Sequence, residues 1–121
     1  MGNSWDDNKK QYLHNKKFIG KIDSEFDDWA VTVTFYAAIH LIEAVLSKKC
    51  NVTSVHNHDD RRNFMYENKE VFSECMTDYL MLQSLASTAR YSGIARMGDK
   101  DALQAQTELE NLEFQLKKYI E

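Results

Sequence analysis

The sequence predicts an all-α chain: an antiparallel up-and-down bundle of about five helices, forming one domain over residues 1–121. Three observations carry this. The chain has no proline and only four glycines, so little in it forces a helix to break. Its apolar residues recur three and four apart over long spans. The links between those spans are short, which sets consecutive helices antiparallel.

Each element has its own signal. A first helix is expected from about Trp5 to Lys21, with Trp5, Tyr12, Ile19 and Ile22 near one stripe. Ser24, with Asp27 three residues on, reads as the start of a second helix from about Glu25 to Lys48. The valines and threonines around Val31 and Val33 favour strand, but more than 20 residues of helical period outweigh them. Cys50 to Asn57 reads as a loop. Asn57 or His58 caps a short third helix ending near Asn68, with Asp59 and Asp60 in its first turn. A fourth helix spans about Glu70 to Ser92, with Phe72, Cys75, Met76, Tyr79, Leu82, Leu85 and Ala86 on its apolar face. Gly93 suits its C-terminal cap. Gly93 to Gly98 is a turn and Asp99 caps the last helix, in which Leu109, Leu112, Leu116 and Tyr119 alternate by three and four.

Composition narrows the function. Hydrophobic residues make up 43% of the chain, enough for a packed core. A net charge of −4 argues against broad duplex DNA binding, which needs many phosphate-neutralising cations, yet allows a small cationic pocket. Every apolar run is interrupted by Lys, Asp, Glu or His, so no membrane span is expected, and the N-terminus lacks an apolar signal core. Without a secretion signal, Cys50 and Cys75 are expected as reduced thiols and the chain as cytoplasmic. No cofactor is expected, because there is no glycine-rich phosphate loop and no Gly-x-Ser-x-Gly elbow. No metal is expected either: His56 and His58 with the two cysteines match no standard zinc spacing.

Three clusters could carry chemistry. Tyr36, His40 and Glu43 fall at i, i+4 and i+7 of the second helix, a polar stripe on an apolar rod. His56 to Arg62 gathers imidazoles, carboxylates and guanidiniums at the start of the third helix. Tyr79 and Ala89-Arg90-Tyr91 lie on the fourth. In one reading these groups form a structural network, with Glu43 paired to Arg61 or Arg90, since a buried charge persists only when paired. In the other they line a site, with Arg61 and Arg90 gripping phosphate and His40 or His58 exchanging protons near neutral pH.

The order and spacing of these motifs resemble the HEPN superfamily, in particular its small stand-alone members. The likeness lies in F-Y-A-A-I-H-L-I-E-A (35–44), the His58-x-x-Arg61 pair, the Tyr79-x-x-Leu82 pair and Ala89-Arg90-Tyr91, covering roughly residues 26–92. The resemblance implies a helical bundle, often a homodimer, that acts as an interaction or nucleotide/RNA-binding module. It also implies a place in a toxin–antitoxin or defence system with a protein partner from the same operon. The ligand-binding set would be Tyr36, Glu43, Arg61, Tyr79, Arg90 and Tyr91. One departure is decisive for the usual chemistry. HEPN ribonucleases carry an arginine followed four to six residues later by a histidine, and here every histidine precedes every arginine. The alternative function, a metal-independent ribonuclease, would need a different site built from His40, His58 and Arg61.

Overall fold

The computed structural model describes residues 5–22, 26–92 and 97–120. Among them every regular element is helical: α1 Trp5–Ile19, α2 Asp27–Cys50, α3 His58–Glu67, α4 Lys69–Phe72, α5 Met76–Ser92 and α6 Asp99–Ile120. The all-α bundle expected from the sequence is therefore present, with six helices in place of about five. The extra one comes from a break in the expected helix over residues 70–92. Cys75 N–H donates to the Phe72 carbonyl (3.1 Å), a tightened turn between α4 and α5 that leaves Phe72 and Cys75 both fully buried. Neither proline nor glycine marks this step.

Named contacts fix the helix directions. Trp5 of α1 lies under Lys48 at the end of α2, while Ile19 borders the cavity that holds Asp27 and Thr34, so α1 and α2 are antiparallel. Ala89 and Arg90 of α5 face Asp28 and Thr32, which sets α5 antiparallel to α2 as well. Asp27 and Asp99 border one cavity at one end of α2 and α6, and Lys49 covers Tyr119 at the other, so those two run parallel.

Helix α2 is the axis of the core. Its inward residues include Val31, Phe35, Ala38, Leu41, Ile42, Val45 and Leu46, all fully buried. The buried threonines keep their hydroxyls within the helix: Thr32 Oγ1 donates to the Asp28 carbonyl (2.8 Å) and Thr34 Oγ1 to that of Ala30 (2.6 Å). These bonds let residues of strand propensity sit in a buried helix. The helix stops at Asn51, which adopts the left-handed conformation (φ 58°) that a C-terminal cap requires.

One argument from the sequence, that polar interruptions leave no stretch long and apolar enough for a membrane, fails on α2. With 24 residues and a mean hydropathy of 1.6 over its most apolar stretch, it is long and apolar enough to cross a membrane, because its polar residues are too few to lower the mean. Two thirds of that stretch (67%) is buried against the other helices. Cys50 and Cys75 are separate free thiols, Cys75 in the core. The caps expected at Ser24 and Gly93 lie outside the described residues. Asn57 caps α3 by accepting from Asp60 N–H (2.8 Å), while Asp60 accepts from His56 N–H (3.2 Å). At α6 the cap position is Gly98 and not Asp99: Gly98 N–H donates to Asp101 (3.0 Å) from just outside the helix.

Candidate functional site

The other helices cover one long strip of α2 only in part. Trp29, Tyr36, His40 and Glu43 lie along it, at helical spacings that keep them on one face. Trp29 is 60% exposed and Tyr36 43%, while His40 and Glu43 are half-buried. The sequence-predicted stripe of Tyr36, His40 and Glu43 is thus one face of the helix, lying between α1 on one side and α3 with α5 on the other.

Helix α3 delivers Arg61 to this face. The Asn57–Asp60 cap fixes where α3 begins, and the side chain one turn in points at α2. Arg61 is 6% exposed, and its guanidinium is almost fully engaged. Nε and Nη2 both donate to Glu43 Oε2 (3.1 and 2.9 Å). Nη1 donates to His58 Nδ1 (2.8 Å) and to the Tyr79 hydroxyl (3.2 Å). Four of the five N–H donors of a guanidinium are thereby used inside the protein. Phe35 closes the cluster from below, its ring centre 5.5 Å from that of His58 and 5.9 Å from that of Tyr79.

The hydrogen bonds define the imidazole states. Arginine can only donate, so His58 Nδ1 accepts and the ring is neutral with its proton on Nε2. Burial, then the Arg61, Arg90 and Arg62 guanidiniums, push the His58 pKa below its usual value against a weaker opposing pull from Asp59. His40 Nδ1 lies 2.8 Å from Asn8 Oδ1, which makes that nitrogen the donor and leaves the lone pair on Nε2. Burial lowers the His40 pKa too; Glu43 opposes and Arg61 adds to the lowering. Burial raises the Tyr79 pKa against Arg61. In these states His58 cannot take a proton at Nδ1 without giving up its bond to Arg61. His40 Nε2 is the better placed proton acceptor.

The sequence-predicted residues therefore divide. Glu43, His58, Arg61 and Tyr79 form one bonded network, and His40 adjoins it electrostatically. Of the two guanidiniums that could have paired with Glu43, Arg61 takes the role. Arg90 is exposed, 5.9 Å from the ring centre of Tyr91, itself 83% exposed. Arg62 faces outward and pairs with Asp59. Arg90 and Tyr36 meet instead at a neighbouring cleft of about 460 Å³, bordered also by Asp28, Trp29, Thr32 and Ala89. Asp28 Oδ1 is buried there with no hydrogen-bond partner among the described residues.

Sequence reasoning missed Trp29, Asn8 and Asp28. Asn8 had a visible signal: it falls between Trp5 and Tyr12 on the inward stripe of α1 and is 1% exposed. Trp29 forms a wall between two clefts, the second bordered by Phe18, Lys21, Ile22 and Phe26. Among the described residues, no group of three His, Cys, Asp or Glu side chains converges to hold a metal ion. No family model, no curated protein and no solved structure matches this chain, so the site is read from its own geometry.

Proposed function

We propose that the chain is a HEPN-like interaction module that dimerises through the open side of α2, with the Arg61 network bracing that face from beneath. The observation that supports this most strongly is a continuous aromatic strip. Phe18, Phe26, Trp29 and Tyr36 are 52, 44, 60 and 43% exposed and share the walls of two adjoining clefts, with Arg90 at the far edge. Exposed Trp, Tyr and Arg side chains grouped over shallow clefts have the composition of binding hot spots. A two-fold pairing along this strip would cover the apolar rings of both copies. A partner protein from the same operon is the next occupant to test.

Light scattering across a concentration series tests the reading. The wild-type chain is expected as a dimer, and Trp29→Glu with Tyr36→Glu as a folded monomer. A wild-type monomer at all concentrations overturns dimerisation, and an unchanged dimer in the double variant overturns the placement of the interface.

The cleft itself favours a second reading, as a nucleotide or RNA site. It combines two aromatic faces for stacking, an exposed guanidinium for phosphate and an unpaired buried acceptor, Asp28 Oδ1, for a donor such as a base amino group. Calorimetry with mononucleotides is expected to show heat that Arg90→Ala abolishes. Silence with the wild-type protein removes this reading. A metal-independent ribonuclease would have to use His40 as its base, because His58 is held by Arg61. RNA cleavage in chelator that survives His40→Ala would eliminate that assignment.

A further inference from the structure

Lysines scattered through the sequence converge at one end of the bundle. Lys48 and Lys49 finish α2, and Lys117 and Lys118 finish α6. Because those helices run parallel, both pairs arrive together. Helix α1 runs the other way and brings Lys9 to the same end. The Lys9 and Lys48 ammonium groups lie 5.0 and 4.2 Å from the centre of one ring, that of Trp5. Those of Lys49 and Lys118 lie 5.8 and 5.1 Å from the centre of the Tyr119 ring. Lys9, Lys16 and Lys117 also border one open cavity of about 350 Å³ beside Tyr12.

Helix dipoles account for part of this, since lysines are favoured in a last turn. They do not account for Lys9, which belongs to the first half of α1. Nor do they explain two ammonium groups drawn over one ring, where like charges repel. The acids nearby are Asp6 and Asp7 in the first turn of α1, Glu70 near Cys50, and Glu113, which is already taken by Tyr12 and Lys16. Among the described residues they are fewer than the lysines gathered here, although the whole chain carries −4. The opposite end mixes both signs, Asp27, Asp28, Asp99 and Asp101 with Lys17, Lys21, Lys100 and Arg90.

We propose that the lysine end is a docking face for an anionic lipid surface. Three features favour lipid over a nucleic acid strand. All five cations, Lys9, Lys48, Lys49, Lys117 and Lys118, are lysines, compact point charges suited to a diffuse anionic plane, with no arginine among them for bidentate phosphate contacts. Both rings are overlaid by ammonium groups, which restricts them as platforms for bases. The lysines are spread over the ends of three helices and do not track along a groove. The contact is peripheral, because two thirds (67%) of the most apolar stretch of α2 is committed to the core. This face is separate from the aromatic strip, so the two assignments stand or fall independently.

Co-sedimentation with vesicles tests the proposal. The wild-type chain is expected to bind vesicles containing about a third phosphatidylserine, to ignore pure phosphatidylcholine, and to release as salt rises. Lys48→Ala/Lys49→Ala/Lys117→Ala/Lys118→Ala is expected to lose roughly fivefold in binding per lysine removed, with its circular dichroism unchanged. Lys100→Ala, at the other end of α6, is expected to bind vesicles as the wild type does. Should the quadruple variant fail to fold, the two double variants and the wild-type salt dependence decide. Equal binding to neutral vesicles or no binding at all overturns the proposal. So does capture of a labelled oligouridine with the same lysine dependence while vesicles are ignored.

Discussion

Removing the Arg61 guanidinium should unfold the chain more readily than any other single polar substitution at the site. Arg61→Met keeps much of the volume and deletes four hydrogen bonds, two to Glu43 and one each to His58 and Tyr79. The Glu43 side chain is only 16% exposed, so its carboxylate is left largely out of water. Breaking one member of a buried pair costs about 3–5 kcal/mol, and partial exposure of Glu43 argues for the lower half, about 3 kcal/mol. The fully buried Tyr79 hydroxyl loses its donor, adding about 1 kcal/mol. The expected total of about 4 kcal/mol is a large share of the ~5–15 kcal/mol that holds a typical domain folded. Glu43→Leu alone strands the guanidinium and should cost about 3 kcal/mol. The double variant replaces the pair by apolar groups and should cost far less than the two single losses together, a coupling of about 2–3 kcal/mol. Urea unfolding of the four proteins closes the cycle. Additivity of the two losses, or a cost below about 1 kcal/mol for Arg61→Met, would refute the view that this network braces the fold.

Two pH effects of opposite sign follow from the same coordinates. Glu108 of α6 is buried against Asp78 of α5, and burial, then its hydrogen bond to Asp78 and the Asp78 charge, raise its pKa to about 7. A folded pKa above the unfolded one means that stability is greatest below the ordinary carboxylate range and is lost as pH rises through 7. Glu108→Gln should therefore add about 2 kcal/mol at pH 8 and almost nothing at pH 4, read from urea midpoints; an equal effect at both pH values would contradict the raised Glu108 pKa. His58 titrates the other way. Its lowered folded pKa means that stability is complete above the unfolded histidine value and declines as pH falls below it, because a protonated ring cannot accept from Arg61. His58→Gln should flatten the fall in thermal stability below about pH 6.5, leaving the slope from His40; an unchanged slope would count against the assigned tautomer.

Much of this was legible in the sequence, and the illegible parts share a cause. The helices announce themselves through apolar spacing, and the Glu43–Arg61 pair is what an acid on an apolar rod demands. Tyr79 follows from its place on the α5 stripe. The break at Ser73–Cys75 leaves no mark, because a tightened turn forms through packing of Phe72 and Cys75 without proline or glycine. Glu108 did carry a signal: it falls on the same stripe as Ala105 and Leu112, and Gln104 one turn back donates to it, but Asp78, whose charge helps raise its pKa, lies on another helix. The lysine end was hidden for the same reason. No basic run exists along the chain, and only the parallel course of α2 and α6 gathers those residues.

Helix α3 buries only Arg61 and Met65. It is fastened to the rest largely by a polar clasp, whereas α1, α2, α5 and α6 interlock through many apolar side chains. Such an element can detach while the frame stays folded. Its amides should exchange with deuterium well before those of α5, and sooner still in Arg61→Met. Each release would briefly bare Glu43, Phe35 and the Tyr79 hydroxyl to solvent, giving the molecule an intermittent hollow that its closed form does not display.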